Sequence, residues 1–199
     1  IGLGLFDVSG HGIASGLLTM LAKSIIFRIF NEGFHKDLVS VIEEVNKQLQ
    51  NEMGAIDNYY ISGILLRFKN NKIEYVNAGH QNILIKKENE VCQIMKEDGK
   101  KIMGSFLGIK DFYVVPFEQM EFQVEKGETL FLFSDCLVEE KSDNNYFGET
   151  GLKKALEAAP ENGSAQEIME FVLGEFYEYV KDKEKLHDDL TVIVVKRKI

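Results

Sequence analysis

Cysteine is scarce in this 199-residue chain, and the two present, Cys92 and Cys136, share no CxxC spacing. That excludes a disulfide framework and gives no zinc-site pattern, so both are expected to be reduced thiols of a cytosolic-type protein. Positive charge is also in short supply. Lys and Arg number 23 against 32 Asp and Glu, a formal net charge of −9, and the one basic cluster is the tail Lys196-Arg197-Lys198. Phosphate-backbone binding needs a basic face, so a nucleic-acid partner is excluded. An acidic chain can still handle phosphate if cations bridge it to carboxylates. Long apolar runs are missing too: no stretch is expected to reach the roughly 20 apolar residues that span a bilayer. The opening IGLGLFDVSG lacks the basic region and cleavage site of a signal peptide. The expectation is a cytoplasmic location with no membrane contact by these residues, an anchor elsewhere in a longer parent being compatible with it. HExxH, GxSxG and GxGxxG are all absent, as are internal repeats and low-complexity linkers.

What is present suits a globular chain: 45% apolar and 28% charged residues. A chain of this length can bury about 70% of the surface its unfolded form exposes, so residues 1–199 are read as one domain. IGLGLFDV reads as a strand running into Asp7, and VSGHG as a glycine-rich turn. Ile13 to about Phe30 is helical, with Leu17, Leu21, Ile25 and Ile29 at four-residue spacing and Leu18, Ala22 and Ile26 widening the stripe. A second helix covers Leu38 to about Leu49, its Val41, Val45 and Leu49 on one face beside Leu38 and Ile42. Strands follow at YYISGILLRFK and KIEYVNA, joined by Asn70-Asn71, and at QNILIKK and VCQIM, joined through Glu88-Asn89-Glu90. Next come YVVPFEQ, an edge or broken strand because of Pro116, then MEFQVEK and ETLFLFSD, separated by a turn at Gly127-Glu128. LKKALEAA and Ala165 to Val180 are helical, and LTVIVVKRK is a last strand. Helices grouped at two places around a run of antiparallel strands give an α+β class rather than a βαβ nucleotide fold.

Asp7, Asp135 and the pair Asp188-Asp189 all sit at ends of strongly apolar strands. An aspartate at a strand end is commonly a turn former, its short side chain accepting backbone N–H groups. Three in equivalent places shift the balance, since neighbouring antiparallel strands can bring their ends together. Clustered carboxylates repel unless cations neutralise them, and an oxygen-rich site suits Mg²⁺ or Mn²⁺. His11, His80 and His187 compete for a zinc or general-base role, although two of the three lie in glycine turns and would serve there as loop hydrogen-bonders. Metal-assisted hydrolysis is the chemistry this pattern favours.

FDVSGHG before a helix, then YVNAGHQNILI, FLGI, KGETLFLFSDCLVEE, FGETGL and DDLTVIVV, occur here in the order of the metal-dependent PPM-type serine/threonine protein phosphatases. The chain resembles their bacterial SpoIIE/RsbU-like branch from Gly4 to about Val195. The resemblance implies a four-layer α-β-β-α sandwich with two antiparallel sheets and two Mn²⁺ or Mg²⁺ ions. It implies that Asp7 bridges both metals, that the Val8 carbonyl is another ligand, and that Asp135 and Asp188 bind the other metal. Asp189 is adjacent to these. Gly10 and Gly12 would shape the loop near the metals, while Asn77, Gly79 and His80 match a motif with a structural role. The implied reaction is direct hydrolysis of phosphoserine or phosphothreonine by metal-activated water, without a covalent enzyme intermediate.

The same resemblance implies a phosphorylated protein substrate, a STAS-domain anti-sigma-factor antagonist, and a homodimer joined through helices near the active site. Two departures bear on activity. The family carries a further acidic motif resembling GGDYYD on a strand before the one that opens here, so the expectation is an N-terminally incomplete domain lacking that strand. Cys136 stands where the family has the glycine of SDG, and left-handed backbone there would cost a cysteine roughly 1 kcal/mol. These departures support an alternative reading, a non-catalytic or weakly active regulatory domain with the phosphatase fold.

Overall fold

The computed structural model describes residues 1–53, 59–88, 90–109, 115–143, 145–181 and 186–198. The chain divides into two compact units: residues 1–80 with 95–123, and residues 81–94 with 124–199.

The first unit is an antiparallel sheet with a helix pair packed on it. β1 (Gly2–Val8), β2 (Ile61–Lys69), β3 (Lys72–Ala78) and β6 (Gln119–Phe122) lie in the order β1-β2-β3-β6. The β2–β3 connection is the expected tight turn, with Asn70 in the left-handed region at φ 54°. α1 (Ile13–Glu32) and α2 (Leu38–Met53) bury Leu18, Ala22, Ile25, Ile29, Leu38, Val41, Ile42, Val45 and Leu49 with Leu65, Val76 and Ala78 of the sheet. The α2 face is the one its sequence specifies. On α1 the buried face is Ser15, Leu18, Ala22, Ile25 and Ile29, and Leu17 is 63% exposed. A strict four-residue spacing advances about 400° per step, so it drifts off any one face, whereas mixed three- and four-residue steps stay on it. Of the expected stripe, Leu18, Ala22, Ile25 and Ile29 are buried and Leu17 is not.

α1 also corrects the expectation about apolar runs. Its 20 residues are long and apolar enough to cross a bilayer by length and composition. In this structure one of its faces packs in the first unit, and the exposed pair Arg28–Glu32 lies at 3.4 Å near its C-terminus.

The second unit repeats the layer principle. β10 (Val192–Lys196), β7 (Thr129–Phe133), β4 (Leu84–Lys86) and β5 (Val91–Gln93) form an antiparallel sheet in that order. All five positions of β7 are buried. α4 (Gly148–Ala158) and α5 (Ala165–Val180) contribute Leu152, Ala155, Leu156, Ile168, Val172 and Phe176 to a core with Leu84, Phe131 and Phe133. Fully burying each Leu, Val or Phe stabilises by roughly 1.5–3 kcal/mol. α5 begins where Ser164 closes a capping box: its hydroxyl accepts the Glu167 N–H at 3.2 Å, and the Glu167 carboxylate accepts the Ser164 N–H at 2.7 Å.

Two expectations change in the middle of the chain. YVVPFEQ and MEFQVEK contribute one strand between them, β6, which starts after Pro116; Tyr113 and Val114 lie outside the described residues, as does Asn89 of the β4–β5 turn. A proline cannot donate to a ladder, so pairing with β3 begins only at Gln119. Between β7 and α4 lie a one-turn helix, α3 (Cys136–Glu139), and a two-stranded hairpin of β8 (Lys141–Ser142) and β9 (Asn145–Tyr146), none of which the hydrophobic pattern marks.

Candidate metal centre

In the first unit Asp7 and Val8 end β1, registered opposite Ser62 and Ile61 of β2. The turn that follows is fixed by Ser9, whose N–H donates to the Tyr60 carbonyl at 2.9 Å and whose hydroxyl accepts the Tyr60 N–H at 2.9 Å. Gly10 and Gly12 have φ of 87° and 86°, a conformation that side chains with a Cβ resist. α1 starts straight after Gly12, whose carbonyl accepts the Gly16 N–H at 3.0 Å and the Ser15 hydroxyl at 3.0 Å.

His80 belongs to the same unit. The Asn77 side chain closes the NAGH turn by accepting the His80 N–H at 2.8 Å and donating to the His80 carbonyl at 3.0 Å. Gly79 between them has φ 69°, and a Cβ on it would lie 2.6 Å from the Phe106 ring. The His80 ring is buried, and its Nδ1 lies 2.7 Å from the Ser62 hydroxyl. The NAGH turn is thereby tied to the residue paired with Asp7. Ser62 escapes sequence reasoning because a serine inside a strand carries no signal of its own.

In the second unit Asp135 follows β7 and opens α3 with helical φ and ψ of −61° and −29°. Its Oδ1 is buried and has no hydrogen-bond partner. Buried carboxylate oxygens are nearly always satisfied, so an orphan at a strand end fits a cation that would supply the missing partner. Ser134 and Cys136 flank it and both reach residues before β10. The Ser134 hydroxyl donates to the Asp189 carbonyl at 2.9 Å and accepts the Thr191 N–H at 2.9 Å. The Cys136 thiol donates to the Asp188 carbonyl at 3.3 Å. The Asp135 and Asp188 segments are therefore side by side. Asp188 and Asp189 are exposed, and the Asp188 carboxylate accepts the Asp189 N–H at 2.8 Å.

Cys136 is not in left-handed backbone: it is the first residue of α3, and the strain expected for it does not arise. It is 4% exposed, and burial, followed by the nearby Glu140 carboxylate, pushes its thiol up to about 11. At neutral pH it is a protonated donor rather than a thiolate ligand. Among the described residues, no three His, Cys, Asp or Glu side chains are grouped closely enough to hold one ion.

This sheet-and-helix organisation is that of PP2C-type phosphatase domains. The SiaA PP2C domain of Pseudomonas aeruginosa superposes with a TM-score of 0.78 at 18% identity, over 98% of this chain and 75% of that one. The catalytic domain of the serine/threonine phosphatase PstP, in complex with two manganese ions, gives a TM-score of 0.61 at 16% identity, over 97% and 86% of the two chains. The family model for stage II sporulation protein E (SpoIIE) matches residues 1–198, so the chain belongs to the SpoIIE family. Phosphoserine phosphatase RsbU of Bacillus subtilis (strain 168) is 26% identical over 203 residues, covering all of this chain. The chain spans 56% of the length of RsbU.

Proposed function

We propose that this chain, acting as a single phosphatase domain, hydrolyses phosphoserine or phosphothreonine on a regulatory protein in a reaction that requires divalent metal. The observation that carries the reading is the orphaned, buried Oδ1 of Asp135 in a chain of the SpoIIE family. The proposed ligands are the carboxylates of Asp7, Asp135 and Asp188 and the carbonyl of Val8, with Asp189 beside them. Two Mn²⁺ or Mg²⁺ ions, when bound, supply activation of water and neutralisation of phosphoryl charge. The chain's own residues hold those oxygens in place. Gly10 and Gly12 let the turn after Asp7 close, His80 and Ser62 brace the strand opposite it, and the buried α3 turn aims Asp135. Purified protein should release phosphate from a phosphoserine protein only with Mn²⁺ or Mg²⁺ present. Full activity in excess chelator would sink the reading.

The substrate class is drawn from the family, with a STAS-domain anti-sigma-factor antagonist as the partner and the cytoplasm as its location. A homodimer is part of the same reading. The exposed side of α1 supports it, since Ile13, Leu17, Met20 and Phe27 are 87%, 63%, 71% and 71% exposed and follow heptad-like spacing. A second reading, a regulatory domain with little catalysis, is favoured by the lack of a three-residue ligand cluster among the described residues. Calorimetric titration with Mn²⁺ separates the two, because failure to bind favours the regulatory domain.

A further inference from the structure

Glu140 is an acid that the proposed ligand set does not use, yet it is only 5% exposed. It follows α3, so it stands five residues after Asp135 along the chain. Its carboxylate turns to the segment that carries the other acids. Oε1 accepts the His187 backbone N–H at 3.1 Å, and the His187 Nδ1 lies 2.8 Å from Oε1 and 3.0 Å from Oε2. A buried carboxylate needs such partners, because its charge is costly to desolvate unless it is hydrogen-bonded or paired. The His187 side chain is 85% exposed, so apolar packing does not hold it there.

His187 immediately precedes Asp188. The exposed Asp188-Asp189 turn is therefore tethered at its start by Glu140, in its middle by the Cys136 thiol on the Asp188 carbonyl, and at its end by Ser134 on Asp189 and Thr191. All three tethers come from one short segment, Ser134 to Glu140, which also carries Asp135. The Ser134 and Cys136 bonds fix the backbone beside the two acids. Of these three tethers among the described residues, Glu140 is the one that grips the approach to Asp188 with a charged group, and it does so through both the backbone and the side chain of His187.

From this geometry we infer that Glu140 is a positioning residue for Asp188, setting where the Asp188 carboxylate is offered to a divalent cation. The inference rests on the metal-dependent reading above. Glu140 itself touches neither metal nor substrate; it acts through His187. Residues that orient metal ligands typically change metal affinity by about 10–100-fold when replaced. Glu140→Gln keeps the shape but has one acceptor oxygen where the carboxylate offers two, and it turns an amide donor toward the imidazole.

The test is Mn²⁺ calorimetry on the parent, Glu140→Gln, His187→Ala and Asp188→Asn, with thermal unfolding of each metal-free protein. Asp188→Asn is expected to lose most Mn²⁺ binding. Glu140→Gln is expected to remain folded at the titration temperature and to bind Mn²⁺ about tenfold more weakly. His187→Ala keeps the backbone half of the tether, so it should lose less, but measurably. A folded Glu140→Gln that binds Mn²⁺ as tightly as the parent, while Asp188→Asn does not, overturns the positioning role and leaves the metal reading standing. A parent that binds no Mn²⁺ overturns both. If Glu140→Gln does not fold, the exposed His187→Ala decides, and unchanged affinity there overturns the role.

Discussion

Asp7 has two physical accounts that diverge on a single atom exchange. As a turn former it needs only a short acceptor at the end of β1, and Asn serves nearly as well. As a metal bridge it must supply negative charge, which an amide lacks. Asp7→Asn should therefore weaken Mn²⁺ binding sharply and nearly abolish phosphate release, while the metal-free protein unfolds at the same temperature or slightly higher. Equal Mn²⁺ affinity and equal thermal stabilisation by Mn²⁺ in both proteins would remove Asp7 from the centre. Gly79 gives a residue-scale test of the fold alone. Its φ of 69° and the Phe106 ring 2.6 Å from where a Cβ would stand both oppose a side chain. Gly79→Ala should cost roughly 1–2 kcal/mol for the backbone alone, with the ring contact adding to it, measured by urea unfolding. Asp7 and Asp135 were legible in the sequence because they close strongly apolar strands, and His80 because it lies in a glycine turn. Ser62, Ser134 and Glu140 were not, because their importance lies in partners 18, 55 and 47 residues away along the chain.

At the scale of elements, legibility followed periodicity. α2 and α5 have apolar positions whose spacing matches one helical face; the α5 bounds are those expected, whereas α2 runs past Leu49 to Met53. α1 is apolar around more of its circumference, so the expected stripe held four of its five buried residues but also the exposed Leu17. α3, β8 and β9 are too short for any period to register. The start of α5 makes a local prediction. Ser164→Ala removes the acceptor for the Glu167 N–H and should cost about 1 kcal/mol of stability. Glu167 adds a pH dependence of definite sign. The Ser164 N–H and hydroxyl hold its carboxyl below the ordinary glutamate range. A carboxyl depressed in the folded state favours folding above its unfolded value, and that contribution disappears as pH falls through the folded value. Acid titration of the parent and Glu167→Gln should show the parent losing its advantage between those two values. Parallel curves through that interval would refute the coupling.

The whole molecule carries a net charge of −9, and its association behaviour is decided by what it leaves uncovered. Within the first unit α1 packs one face and leaves Ile13, Leu17, Met20 and Phe27 in solvent. Isolated exposed apolar residues are ordinary, but a heptad-like row on a 20-residue helix is the geometry by which helices pair. If a second copy covers that row, replacing its members with charge should abolish the pairing without touching the core. Leu17→Glu with Phe27→Glu is the informative double variant, since both positions are mostly exposed and neither belongs to the buried face of α1. Sedimentation velocity on the parent should show a dimer population rising with concentration. The double variant should stay monomeric over the same range and unfold at nearly the parent temperature. A parent that sediments as a monomer at every concentration refutes the dimer for this chain. A dimer that persists in the double variant, with its dissociation constant unchanged, moves the interface away from α1. High salt supplies an independent check of sign. Screening weakens repulsion between two acidic copies, so a dimer held by apolar contact should tighten as salt rises, whereas one held by ion pairs should loosen.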